Sequence, residues 1–145
     1  MTKEGVMPEF KLDPAFIATS HAVGDLPLCH VRLQDDARYP WLVLIPRLPG
    51  LREIEELSAD DRALLMEEAV AAGKAVRVLG GLFDVEVEKL NIGALGNVTA
   101  QLHVHVVGRQ GNDPAWPGPV WGHSAAEAYE DASDAVLVAG KALGL

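Results

Sequence analysis

The chain has 145 residues, of which 49% are hydrophobic, and a formal net charge of −9 at pH 7. That length suits one domain, residues 1–145, with a sizeable buried core. The acidic balance excludes wrapping of nucleic acid and adhesion to an anionic membrane by overall charge, although one locally positive cleft suffices for a small phosphorylated ligand.

No apolar run approaches a membrane span, and the first residues, Met1 to Glu9, hold early acids and no apolar signal segment. Cys29 is alone, so the reading is a cytoplasmic protein, and its place in Leu26-Pro27-Leu28-Cys29 reads as a buried thiol. Asp13-Pro14 reads as a cap with proline at the first helical position, predicting a short helix to about Thr19. Asp25 to Leu33 predicts a strand, and the apolar run Trp41-Leu42-Val43-Leu44-Ile45 predicts a second strand covered on both faces. The polar turn from Gln34 to Pro40 makes them an antiparallel hairpin.

Leu51 to Leu57 has room for one or two helical turns. Ser58 caps a long helix with Asp61 in the place of a capping-box acid and an apolar face of Leu64, Leu65, Ala69, Ala72, Val76 and Leu79. Glu67 and Glu68 read as part of its solvated face, and Gly80-Gly81 as its end. Phe83 to Leu95 is a further β region, Gly96-Asn97 a turn, and residues 101–107 the last strand. Gln110 to Gly122, with three prolines, Trp116 and Trp121, predicts an ordered extended loop. Ser124-Ala125-Ala126-Glu127 then caps a last helix to about Ala142. The order predicts an α+β domain, with one mainly antiparallel sheet and a long helix inserted between two strand pairs.

The chemistry concentrates in Gln101-Leu102-His103-Val104-His105-Val106-Val107. Alternation at period two puts Leu102, Val104 and Val106 on the core face and Gln101, His103 and His105 in a row on an exposed one. An imidazole there can serve as nucleophile, proton carrier or metal ligand, or be merely solvated. A metal site needs three or four ligands, and His21, His30 and His123 have no metal-like spacing toward this pair. No G-x-S-x-G, P-loop or dinucleotide fingerprint is present.

The run resembles the histidine-triad motif, His-φ-His-φ-His-φ-φ, with Gln101 in the first position. The similarity spans residues 25–109 and includes Trp41 to Arg47, the Leu57-Ser58 helix entry and Asn91-Ile92-Gly93. Arg38 to Trp41 and the tail Pro114 to Gly122 resemble a bacterial branch of histidine-triad hydrolases with a Gln-x-His-x-His motif. The resemblance implies a HIT-like fold, a homodimer, and a nucleotide phosphohydrolase or nucleotidyl transferase acting on dinucleoside polyphosphates or related conjugates. The residues encode no metal ligand set and no cofactor is expected, although a divalent ion can arrive bound to the substrate. The resemblance also implies His103 as the nucleophile that forms a nucleotidyl-histidine, with His105 and Gln101 on the phosphoryl oxygens. It further implies Asn97 as a phosphate donor, Asp35 on the ribose hydroxyls, Arg109 near the polyphosphate, and Trp116 and Trp121 as lid or interface. The alternatives are a non-catalytic nucleotide sensor, since Gln101 cannot carry a proton, and a zinc-binding protein using His103 and His105.

Overall fold

A computed structural model describes residues 9–145; the stretch read above for a signal segment lies largely outside it. The elements are α1 (Pro14–Thr19), β1 (Ser20–Asp25), β2 (Cys29–Gln34), β3 (Trp41–Pro46), a 3-10 turn (Ile54–Glu56), α2 (Ala59–Leu82), β4 (Lys89–Gly93), β5 (Val104–Arg109) and α3 (Ser133–Ala142). The strands form one sheet in the order β1-β2-β3-β5-β4, every neighbouring pair antiparallel.

The side chains of β3 explain the layering. Leu42 and Leu44 join Val31, Leu33, Val104 and Val106 against Leu65, Ala69, Ala72, Val76 and Leu79 of α2 and Ala135 and Ala139 of α3. Trp41, Val43 and Ile45 face the other way, where Phe16 of α1 and Ala115 and Val120 of the loop after β5 cover them. Each such aliphatic side chain removed from water stabilises the fold by about 1.5–3 kcal/mol. Coverage on both faces is why all six residues of β3 are buried. Gly108 lets β5 approach this layer, because a Cβ there would meet Pro40, Val76 and Val87 at 2.8 Å.

The α+β architecture is as expected, with four differences. The strand expected over residues 25–33 shortens to β2: residues 26–28 are a tight turn, in which the Leu26 N–H donates to the Cys29 carbonyl at 2.8 Å, and an unexpected strand, β1, precedes it. Residues 101–103 stand outside the ladder, where the Leu102 N–H donates to the Leu51 carbonyl at 2.9 Å, so β5 starts at Val104. The last helix begins at Ser133, because Ser124 accepts from Arg38 and Glu127 and Tyr129 bond to the β2–β3 turn. There the Glu127 carbonyl accepts from Ala37 at 2.7 Å and the Tyr129 N–H donates to Asp35 at 3.0 Å. Glu68 is not solvated: its buried carboxylate accepts from the Leu28 and Cys29 N–H groups, both at 2.8 Å, and ties α2 to the start of β2.

Candidate active site

The antiparallel register sets His105 opposite Val43 on β3 and Gly93 on β4, on the sheet face shared with Trp41 and Val107. His103 follows the same face two residues earlier. That face is not open: His103 and His105 are 7% and 9% exposed. The edge of Phe16 meets His103 at 4.8 Å between ring centroids, and Trp121 and Trp41 meet His105 at 5.4 and 5.6 Å. The two imidazoles are 4.9 Å apart.

Hydrogen bonds assign each ring its tautomer. His103 Nδ1 lies 2.6 Å from the backbone carbonyl of Gln101, which can only accept. The proton therefore sits on Nδ1, and the neutral ring carries its lone pair on Nε2. The Trp41 indole N–H can only donate, and it reaches His105 Nδ1 at 3.0 Å. The neutral His105 ring therefore carries its proton on Nε2. Burial, with His103 as a second influence, lowers the His105 pKa to about 3, so this ring is neutral at physiological pH. The pair presents a nucleophilic nitrogen from one ring and a hydrogen-bond donor from the other.

His103 borders a cleft of about 530 Å³, within the usual size range of small-molecule sites. Arg52 and Arg62 line it together with Glu53, Glu55, Gly96 and Ala100, whereas His105, packed behind His103, is not part of the lining. The two arginines were not singled out from the sequence. Arg52 lies in the loop just before the 3-10 turn and Arg62 in the first turn of α2, and only the fold brings them to the histidine motif.

The other expected site residues divide. Gln101 lines the cleft, but both atoms of its amide are engaged: Oε1 accepts from the Asp13 N–H and Nε2 donates to the Lys11 carbonyl, each at 2.8 Å. Asn97 is exposed and adjoins Gly96, which lines the cleft with a left-handed φ of 79°. Asp35 is not part of that lining. Its carboxylate binds His21 Nε2 at 3.0 Å and the Tyr129 N–H at 3.0 Å, and the bond to His21 holds its pKa below the usual value. Arg109 is fully buried and does not reach the cleft either. Its guanidinium is spent on Asp113, at 2.7 and 2.9 Å, and on Asn91 at 2.7 Å, between the rings of Tyr39 and Trp116. That ion pair anchors the Pro/Trp loop that lays Trp121 over His105. Among the described residues no group of three or more His, Cys, Asp or Glu is placed to hold a metal ion.

The family model for the HIT domain matches residues 16–112. The chain belongs to the histidine triad family. A histidine triad protein of Sinorhizobium meliloti is 38% identical, covers 93% of this chain and 96% of its own, and superposes with a TM-score of 0.83. For one from Bradyrhizobium japonicum the values are 39%, 94%, 97% and 0.82. For one from Marinobacter aquaeolei they are 36%, 94%, 98% and 0.86. No curated protein sequence matches. The fold expected from the motif is thus the fold found, in a family whose members are generally nucleotide-binding hydrolases or transferases. No helix among the described residues is long and apolar enough to cross a membrane.

Proposed function

We propose that this histidine triad protein is a nucleotide phosphohydrolase or nucleotidyl transferase that splits dinucleoside polyphosphates or related conjugates through a nucleotidyl-His103 intermediate. The observation that carries the reading is the His103 Nδ1–H bond to the Gln101 carbonyl, which leaves the Nε2 lone pair free beside the cleft. In the first step Nε2 attacks the α-phosphorus; the bond to the bridging oxygen breaks, and its electron pair leaves with the departing phosphate. In the second step water attacks the same phosphorus, the P–N bond breaks, and Nε2 recovers its lone pair while the water proton passes to solvent. Dividing one displacement into two lowers each barrier. His105 Nε2–H donates to a non-bridging oxygen, where charge grows in both transition states. Arg52 and Arg62 supply positive charge for the departing phosphates, with Asn97, exposed next to Gly96 of the lining, as a further donor. Asp35 and Arg109, occupied as described, have no part in this reading.

A sensor that binds nucleotide without turnover is the second reading, favoured by one feature: Gln101 stands in the first position of the motif, and an amide has no proton to give a leaving group. One experiment separates the two. The protein is mixed with a labelled dinucleoside polyphosphate, quenched, and searched for an acid-labile nucleotidyl adduct and for released product. Adduct and turnover that both vanish in His103→Ala support the hydrolase; binding with neither supports the sensor.

We also read the protein as a cytoplasmic homodimer. The outer edge of β4 is unpaired among the described residues, and Ile92 and Met66 beside it are 52% and 65% exposed. A second copy that pairs with this edge would cover them. Sedimentation should then give twice the chain mass, and Ile92→Lys should give monomers.

A further inference from the structure

We infer that Gln101 is a positioning residue: its side-chain amide clamps the segment at residues 11–13 and thereby holds Phe16 against the ring of His103, rather than contacting the substrate. The inference rests on the nucleotidyl-transfer reading for its consequence in rate, and on geometry for the clamp itself.

The amide meets the Lys11 carbonyl and the Asp13 N–H, each at 2.8 Å, as a neighbouring strand would. Only a primary amide offers an acceptor and a donor side by side on one edge. The nitrogens of an imidazole point away from each other, and a carboxylate would turn an acceptor toward the Lys11 carbonyl. The clamped residue carries the next link. Asp13 Oδ1 accepts from the Ala15 N–H at 2.9 Å, and the Asp13 carbonyl accepts from the Phe16 N–H at 3.1 Å, which starts α1. Phe16 is buried, with its ring 4.8 Å from that of His103. A helix of six residues is not stable alone. Its far end is held too: the buried Arg32 donates to the Ser20 hydroxyl and carbonyl at 2.6 and 2.9 Å, and the Ser20 hydroxyl donates to the Phe16 carbonyl.

Gln101 therefore acts on the nucleophile twice. Its backbone carbonyl fixes the Nδ1 proton, and its side chain fixes the aromatic wall that stops the ring from turning. The first triad position supports the ring through 90 residues of sequence separation, between Gln101 and Lys11, instead of reaching forward to the phosphate.

The test uses Gln101→Glu, Gln101→Asn and Gln101→His in the full chain, with three readouts. Amide hydrogen exchange at Asp13 reads the clamp; long-range proton–nitrogen NMR reads the tautomer of His103; steady-state kinetics on a dinucleoside polyphosphate separate kcat from KM. Glu and Asn, the latter one methylene too short, should each speed exchange at Asp13 and mix the His103 tautomers. Both should lower kcat by about tenfold with KM within about twofold, because the ring's aim and not nucleotide binding is lost. Phe16→Leu should reproduce the kinetic loss while Asp13 stays protected. If kcat rises in Gln101→His, or if Asp13 stays protected in both Glu and Asn variants, the clamp is wrong. If wild-type protein has no turnover, the hydrolase reading falls, while exchange and tautomer still decide the clamp.

Discussion

Trp41→Phe tests the tautomer assignment of His105. The indole N–H to His105 Nδ1 distance is 3.0 Å, and both residues are buried. Phenylalanine keeps an aromatic ring between Tyr39 and Trp121 but has no donor. The orphaned, buried Nδ1 costs about 1–3 kcal/mol. The ring carbons lost from the indole cost about 2 kcal/mol more, at roughly 0.8 kcal/mol per buried carbon. The native state should therefore lose about 3–5 kcal/mol in urea unfolding, the sum of those two effects. The functional consequence is separate. Once Nδ1 has no donor, the ring can carry its proton there, and molecules that do so offer the phosphate a lone pair instead of an N–H. A single-turnover rate about tenfold lower follows, against about a hundredfold or more where a transition-state donor is removed outright. Proton–nitrogen NMR should show the His105 proton shared between Nδ1 and Nε2. A stability loss below about 1 kcal/mol together with an unchanged rate would refute the assignment.

Three further outcomes follow from the packing. The folded His105 pKa of about 3 lies below the ordinary 6.5, so in that window the unfolded chain takes up a proton that the native ring refuses. The contribution is complete above the unfolded value and is lost as pH falls toward the folded one, by about 1.4 kcal/mol per pH unit. Urea midpoints measured across the window should fall more steeply for wild type than for His105→Gln, and parallel curves would contradict the assignment. Arg109→Met, which leaves the buried Asp113 carboxylate without its cationic partner, should cost about 3–5 kcal/mol in thermal unfolding. Glu68→Gln turns an amide N–H₂ toward one of the two N–H groups now bound at 2.8 Å, and should cost about 1–3 kcal/mol in urea unfolding.

The sequence made local rules visible and hid the long-range ones. Ser58 and the apolar periodicity after it announced α2, and the unbroken run at Trp41 announced a strand covered on both sides. β1 went unseen because Ser20-His21-Ala22-Val23-Gly24-Asp25 has small and polar residues whose pairing with β2 is decided by the turn, not by its own pattern. Ser124 and Glu127 satisfied a capping rule locally, yet bonds to Arg38, Asp35, Asp36 and Ala37 hold that stretch out of a helix. Alternation at period two placed Gln101, His103 and His105 on one face correctly. It carried no information on what covers them: Phe16 lies 87 positions from His103 in sequence, and Trp121 comes from the loop after β5 that the Arg109–Asp113 pair anchors. Helical spacing did separate Glu68 from the exposed Glu67, since Glu68 lies three or four residues from Leu64, Leu65 and Ala72 on the buried face; only its partners, the Leu28 and Cys29 N–H groups, were out of local reach.

Two successive displacements at one phosphorus leave a stereochemical record. A dinucleoside polyphosphate made chiral at the α-phosphorus with sulfur and oxygen isotopes is hydrolysed by the wild-type protein, and the configuration of the released nucleoside monophosphate is determined. Attack by His103 Nε2 followed by attack of water inverts the centre twice, so net retention is predicted. Net inversion would mean that water attacks the phosphorus directly, and His103 would not be the nucleophile.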